Sequence, residues 1–233
     1  MEAAVKEVDT LVAQGKFQEA YDSVTKALET YNEVELLWRK AQVCFLLVYY
    51  VSVKPSREIC EHYVIEGMNS AKRATRVDPN HANSLTWYGI MLDELGNLKG
   101  IQERIRNSKE LYELLMKSHQ IDPNNFLTES SLGVWHYILT ELHSSKPELF
   151  KGTDYTGNEF SYQKGLEHML KCEELAPNKS LFTLEYLAKC YMRLGKKDKV
   201  KEVCQKIINH PAQHVEAQEA KKAAEELMKQ LRK

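Results

Sequence analysis

The chain is short of the residues that interrupt helices, with 10 glycines and 6 prolines in 233 positions. A sheet protein of this length needs many tight turns and β-branched runs, so the shortage, beside abundant Leu, Ala, Glu and Lys, predicts an all-α fold with no β-structure. It also lacks an excess of charge of either sign. Thirty-two Lys and Arg face 33 Asp and Glu, which removes the global electrostatic case for nucleic acid and makes any electrostatic role a local one. Long apolar runs are missing too: Val43 to Val53, VCFLLVYYVSV, falls far short of the roughly 20 residues a membrane span requires. Five cysteines form no CxxC pair, and the opening MEAAVKEVDT is no secretory signal. A reducing compartment is expected, with the thiols buried as small apolar side chains.

Catalytic signatures are equally scarce. No phosphate-binding glycine loop, HExxH, GxSxG or acidic calcium loop occurs. Glu167-His168 and the pair His210 and His214 bring ionisable groups close in sequence, but Pro211 breaks the helix that would align the latter pair, and no cysteine is spaced to complete a zinc site. The expectation is a protein that is not an enzyme and needs no metal or cofactor.

What is present is a repeated stop. Residues 76–89 read RVDPNHANSLTWYG and residues 120–133 read QIDPNNFLTESSLG, with a degenerate third at Ala176-Pro177-Asn178. Proline lacks the N–H that would continue a helix and pushes the residue before it out of the helical region, so each stop divides two helices. Prolines 79, 123 and 177 lie 44 and 54 residues apart, longer than the roughly 34 residues of a tetratricopeptide repeat. Aligning on them still recovers that repeat's anchors: Gly67, Ala71 and Ala74 before Pro79; Leu85, Tyr88, Gly89 and Gly96 after it; Leu132-Gly133 after Pro123; and Leu187-Ala188, Gly195, Val200 and Cys204 after Pro177. Val8, Leu11, Gly15, Ala20, Val24 and Ala27 repeat the pattern at the start. Small residues at these places let helix backbones approach, and the large neighbours fill the space.

The fold predicted is therefore a tetratricopeptide-like helical-repeat solenoid in a single domain, 1–233. Repeats run over about 1–31, 34–79, 81–123, 125–177 and 180–211, and an amphipathic helix over about 212–231 caps the last one. The excess over 34 residues falls between first and second helices: about 14 residues around 45–58, about 10 around 97–106 and about 20 around 143–162.

Glu35-Leu36-Leu37-Trp38-Arg39, then Trp87-Tyr88-Gly89-Ile90, then Gly96-Asn97-Leu98-Lys99-Gly100-Ile101, then Ile121-Asp122-Pro123, then Leu132-Gly133-Val134-Trp135 follow in an order that resembles the regulator of microtubule dynamics family over nearly the whole chain. The resemblance implies a non-enzymatic, microtubule-associated scaffold, cytoplasmic and on the cytoskeleton or spindle, with tubulin as partner. It also implies, as an alternative, a phospholipid-binding module at organelle contacts; a generic peptide-binding adaptor is the further alternative, since helical repeats accept extended segments or helices. Two departures stand out. The third insertion reads Lys146-Pro147-Glu148-Leu149-Phe150-Lys151-Gly152-Thr153-Asp154-Tyr155 where family members carry a tryptophan- and arginine-rich stretch, and the N-terminal membrane segment of several members has no counterpart, which points to a free cytosolic or spindle-associated member.

The local charge signal lies at 189–206, KCYMRLGKKDKVKEVCQK. Lys189, Arg193, Lys196, Lys197, Lys199, Lys201 and Lys206 face Asp198 and Glu202 alone. Such a corner is placed to attract acidic tubulin tails or anionic phospholipid heads, or else is a solvated turn. Lys72, Arg73 and Arg76 form a second, smaller group. Trp38, Trp87 and Trp135 fall on predicted first helices, where they line a concave groove for protein partners or, as is commoner for tryptophan among aliphatics, pack inside. Tyr49, Tyr50, Phe45 and Val48 extend the helix that leads into the first insertion. With Thr86 and Trp38 at the fifth positions and Ile90 and Gln42 at the ninth, no clamp for a peptide's terminal carboxylate is formed.

Overall fold

The computed structural model describes residues 1–231, and every regular element among them is helical. The chain divides into two compact units, Met1–Asp122 and Pro123 onward.

The first unit holds three helical hairpins: α1 (Glu2–Ala13) with α2 (Phe17–Leu28), α3 (Val34–Tyr49) with α4 (Arg57–Val77), and α5 (Ala82–Lys99) with α6 (Ile101–Ile121). The second holds α7 (Phe126–Ser145) with α8 (Tyr162–Leu175), α9 (Leu181–Arg193) with α10 (Lys197–Ile208), and a last helix, α11 (Val215–Gln230). Within each unit the second helix of one hairpin packs on the first helix of the next, α2 on α3 and α4 on α5 in one, α8 on α9 and α10 on α11 in the other.

The repeated stops act as the proline argument requires. Asp78 and Asp122 end α4 and α6 in nearly the same extended conformation, φ −135° and ψ 100° against φ −134° and ψ 90°. Each following helix then starts on a side-chain cap: the His81 ring accepts from the Ser84 N–H at 3.3 Å, and the Asn125 side-chain carbonyl accepts from Leu127 and Thr128. Satisfying these otherwise orphaned donors is worth about 1 kcal/mol per cap. The α1–α2 and α9–α10 turns are copies of one another, with Gly15 at φ +72° and Gly195 at φ +71°, followed by Lys16 and Lys196 at the helix starts.

Small anchor residues sit at the closest helix approaches. A side chain at Gly89 of α5 would press on Leu115 of α6 at 3.2 Å, and one at Gly67 of α4 would meet both Met91 of α5 and Cys44 of α3. Between α7 and α8, Gly133 and Gly165 face each other, each added Cβ lying 3.0 Å from the other's carbonyl oxygen. Ala20 and Ala188 are fully buried. In the second unit Ala217, Ala220, Ala224 and Leu227 of α11 close the core formed by Leu184, Val200 and Ile207. All five cysteines are buried, and burial pushes the Cys190 thiol up to about 12.

The extra residues are accommodated differently from one hairpin to the next. α3 to α7 run to 16, 21, 18, 21 and 20 residues, against 12 for α1, α2 and α10. The second insertion is entirely helix: α5 and α6 are joined by Gly100 alone, at φ +104°. The first keeps a seven-residue loop, 50–56, and the third forms a short 3-10 turn, Pro147–Phe150, and a loop that folds back on α7.

Candidate functional site

The α9–α10 turn projects Arg193, Lys196, Lys197, Lys199 and Lys201 to solvent. Gly195 in its left-handed conformation lets the chain reverse within three residues, and α10 opens at Lys197 with no side chain capping it. Lys196 lies over the Tyr191 ring at 5.8 Å, a cation–π arrangement that orders the lysine stem without removing its charge.

The structure lowers the positive charge counted along the sequence. Arg193 forks onto Glu141 of α7 through the Nε–Nη2 edge of its guanidinium, Nη2 donating at 2.6 Å, and Tyr162 donates to the same carboxylate at 2.6 Å. Those hydrogen bonds hold the Glu141 carboxyl below its ordinary value against the opposing effect of burial. Lys189 pairs with Glu185 one helical turn away. Lys199 meets Glu202 at 2.8 Å, Lys206 meets the same residue at 3.4 Å, and Lys201 meets Asp198 at 3.7 Å. These last three pairs are exposed and adjacent on one helix, so each contributes little to stability and exchanges readily with a competing anion. Lys196 and Lys197 have no carboxylate partner among the described residues. The lysines left in solvent at the turn are Lys196, Lys197, Lys199 and Lys201, while Arg193 joins α9 to α7.

The three tryptophans lie beneath the surface: Trp38, Trp87 and Trp135 are 9%, 4% and 5% exposed. Trp38 donates its indole N–H to Glu35 at 3.0 Å, and the Arg39 guanidinium stacks on its ring at 4.2 Å. Arg39 also forks onto Asp9 of α1 at 2.7 and 2.9 Å, while Glu35 reaches His81, the residue that caps α5, at 3.0 Å. The other ring nitrogen of His81 accepts the Ser84 N–H, so the ring bridges the start of α5 and Glu35. One polar chain thus links the three first helices of the first unit. Trp87 packs edge-on against Phe45. Trp135 is covered by Tyr155 and Phe160 of the third insertion, which with Phe150 and His143 form a closed aromatic cluster. That insertion is therefore an ordered lid on α7.

A cleft of about 660 Å3 runs beside α1, lined by Met1, Val5, Lys6, Asp9, Ala13 and Glu35 among others. Thr86, one of the fifth-position residues, is fully buried and hydrogen-bonded to Ser118. Lys72, Arg73 and Arg76 lie on α4, with Lys72 at 5.7 Å from the Tyr88 ring. The histidine pairs noted in the sequence have local partners: His210 and His214 accept from the Ala212 and Ala217 N–H groups, and His168 bonds the buried Glu129 at 2.8 Å. Among the described residues no three His, Cys, Asp or Glu side chains converge as metal ligands would, and no described helix is long and apolar enough to cross a membrane.

Of these contacts, Glu185–Lys189 was readable from helical spacing. The Arg193–Glu141 fork joins residues 52 positions apart and left no local trace.

A family profile described as Regulator of microtubule dynamics protein 1-3 matches residues 4–232. Regulator of microtubule dynamics protein 1 of Pongo abelii is 25% identical over 228 residues, covering 98% of this chain and 72% of that protein. Regulator of microtubule dynamics protein 3 of Bos taurus is 28% identical over 170 residues, 72% of this chain and 35% of the relative's length. Among solved structures, a thermophilic TPR protein of Thermus thermophilus superposes with a TM-score of 0.65 at 13% identity, over 96% of this chain and 97% of that one. The likeness establishes a tetratricopeptide-type fold.

Proposed function

The chain belongs to the regulator of microtubule dynamics family, and from that premise we propose that it acts as a non-enzymatic scaffold that binds microtubules directly, in the cytoplasm or at the spindle. The observation that carries this reading is the exposed lysine face at the α9–α10 turn, where Lys196 and Lys197 have no carboxylate partner among the described residues. Acidic tubulin tails present several carboxylates on a mobile chain. Each contact with such a tail is modest, and together they give an association that weakens steeply with salt.

Microtubule co-sedimentation across a salt series tests it. Changing Lys196, Lys197, Lys199 and Lys201 to Glu together is expected to weaken binding more than about tenfold at low salt, and raising wild-type salt from about 50 to 200 mM should weaken it comparably. Binding indifferent to both changes rules out the electrostatic mechanism. A second reading, a peptide-binding adaptor, is favoured by the cleft beside α1, whose size lies within the range of ligand sites. Capture of a stoichiometric protein other than tubulin, lost when Val5 is changed to Asp, supports that reading.

A further inference from the structure

At the end of the first unit's helices, two successive residues of α5 carry carboxyl groups with different surroundings. Asp93 is held by Arg104 of α6 in a two-bond fork, at 2.7 and 2.6 Å. Glu94, beside it, points inward and is 8% exposed. Its carboxyl accepts from the Tyr49 hydroxyl at the last residue of α3 and from the Asn97 side-chain amide at 3.2 Å. Both donors are neutral. The nearby Arg104 makes its fork with Asp93, and the α4 side contributes Arg57, which donates to the Leu98 carbonyl at 3.3 Å. A buried carboxylate satisfied by neutral donors and flanked by a like charge is poorly compensated.

We propose that Glu94 is the pin of a proton-operated clasp: with its proton on, it ties the C-terminal end of α3 to α5, and on losing it, it releases Tyr49 and the 50–56 loop that follows. The geometry supplies both halves of the device. On one side are rigid parts, because α5 and α6 touch so closely at Gly96 that an added Cβ would lie 2.8 Å from the Arg104 Cα. On the other is the loop from Tyr50 to Ser56, whose tip carries Val53 at 77% exposure.

Burial pushes the Glu94 carboxyl up to about 7, with Asp93 adding to the effect and Tyr49, Asn97 and Arg104 opposing it. The closed clasp therefore holds its proton to higher pH than an open one, so closure is favoured in mild acid and progressively lost as pH rises through 7. A group titrating near 7 when clasped and near 4.5 when open makes opening about tenfold more frequent at pH 8 than at pH 6.

Amide hydrogen exchange, corrected for the intrinsic pH dependence of exchange, reads this directly. The probes are the Tyr50 N–H, bonded to the Leu46 carbonyl, and the Cys60 N–H, bonded to the Ser56 carbonyl. Protection at both should fall about tenfold between pH 6 and 8 in the wild-type chain, and stay level in Glu94→Gln, which keeps the acceptor and cannot ionise. Tyr49→Phe should show low protection at both pH values. No fall in the wild type, or an equal fall in Glu94→Gln, overturns the proposal. Carbon-13 titration of the wild-type Glu94 carboxyl gives a second reading that needs no variant, and a midpoint in the ordinary carboxylate range also overturns it. The clasp stands on residues apart from the lysine face, so its failure leaves the microtubule proposal untouched.

Discussion

Single residues set the pH response of the second unit. His136 is 2% exposed and stacks parallel to His168 at 5.5 Å. Burial first, then the charges of His168 and Lys164, push its imidazole down to about 3. A histidine in that state takes up its proton more readily in the unfolded chain, so stability is full above about pH 6.5 and declines as pH falls towards 3. At pH 5 the loss is about 2 kcal/mol, and a urea titration should show His136→Gln losing less stability than wild type between pH 7 and 5. The buried Glu129–His168 contact belongs to the same helix crossing. None of this was legible in the sequence, where neither His136 nor Glu129 belongs to any recognisable motif. Only the packing of Gly133 on Gly165 turns their faces inward. Gly89, Ala20 and Ala188, in contrast, were picked out as contact points from spacing alone, because the repeat demands a small residue where helices touch and the sequence offers few.

At the scale of the element, the stops and starts of helices were readable and the use of the inserted residues was not. Asp-Pro fixes an end through local sterics, and the N-capping side chains fix a beginning, so both leave marks in adjacent residues. Whether extra residues lengthen a helix or form a loop depends on what the far end packs against. For the third insertion that is an aromatic cluster in which Phe160 is 4% exposed and meets Trp135 at 5.9 Å. Gly157, at φ +90°, crosses the His143 ring so closely that a Cβ would lie 2.8 Å away. Phe160→Ala should therefore detach this lid and expose the Lys151–Gly152 bond to trypsin at a protease level that leaves wild type intact, at a cost of about 3 kcal/mol. Of the three tryptophans that sequence alone left between groove and core, Trp135 is the floor on which the insertion folds.

At the scale of the whole molecule, near-neutral charge and a fold of paired helices leave function to local surfaces. The lysine cluster was legible as a run of sequence, but Glu141 becomes its neighbour only once the helices are paired, and Glu185 already meets Lys189 one turn away on the same helix, so the field at the corner is weaker than the run implies. The junction of α5 and α6 carries a further consequence. The two helices reverse on Gly100 alone, at φ +104° and ψ 171°, a region essentially restricted to glycine and costing other residues about 1–3 kcal/mol. Gly100→Ala would tilt the balance towards one uninterrupted rod of about 60 Å. Two opened chains could then recover every α5–α6 contact from each other, giving a dimer built by exchange of halves. Size-exclusion chromatography of that variant after refolding at high concentration should show the dimer, and the glycine would stand revealed as what lets each chain complete its own hairpin.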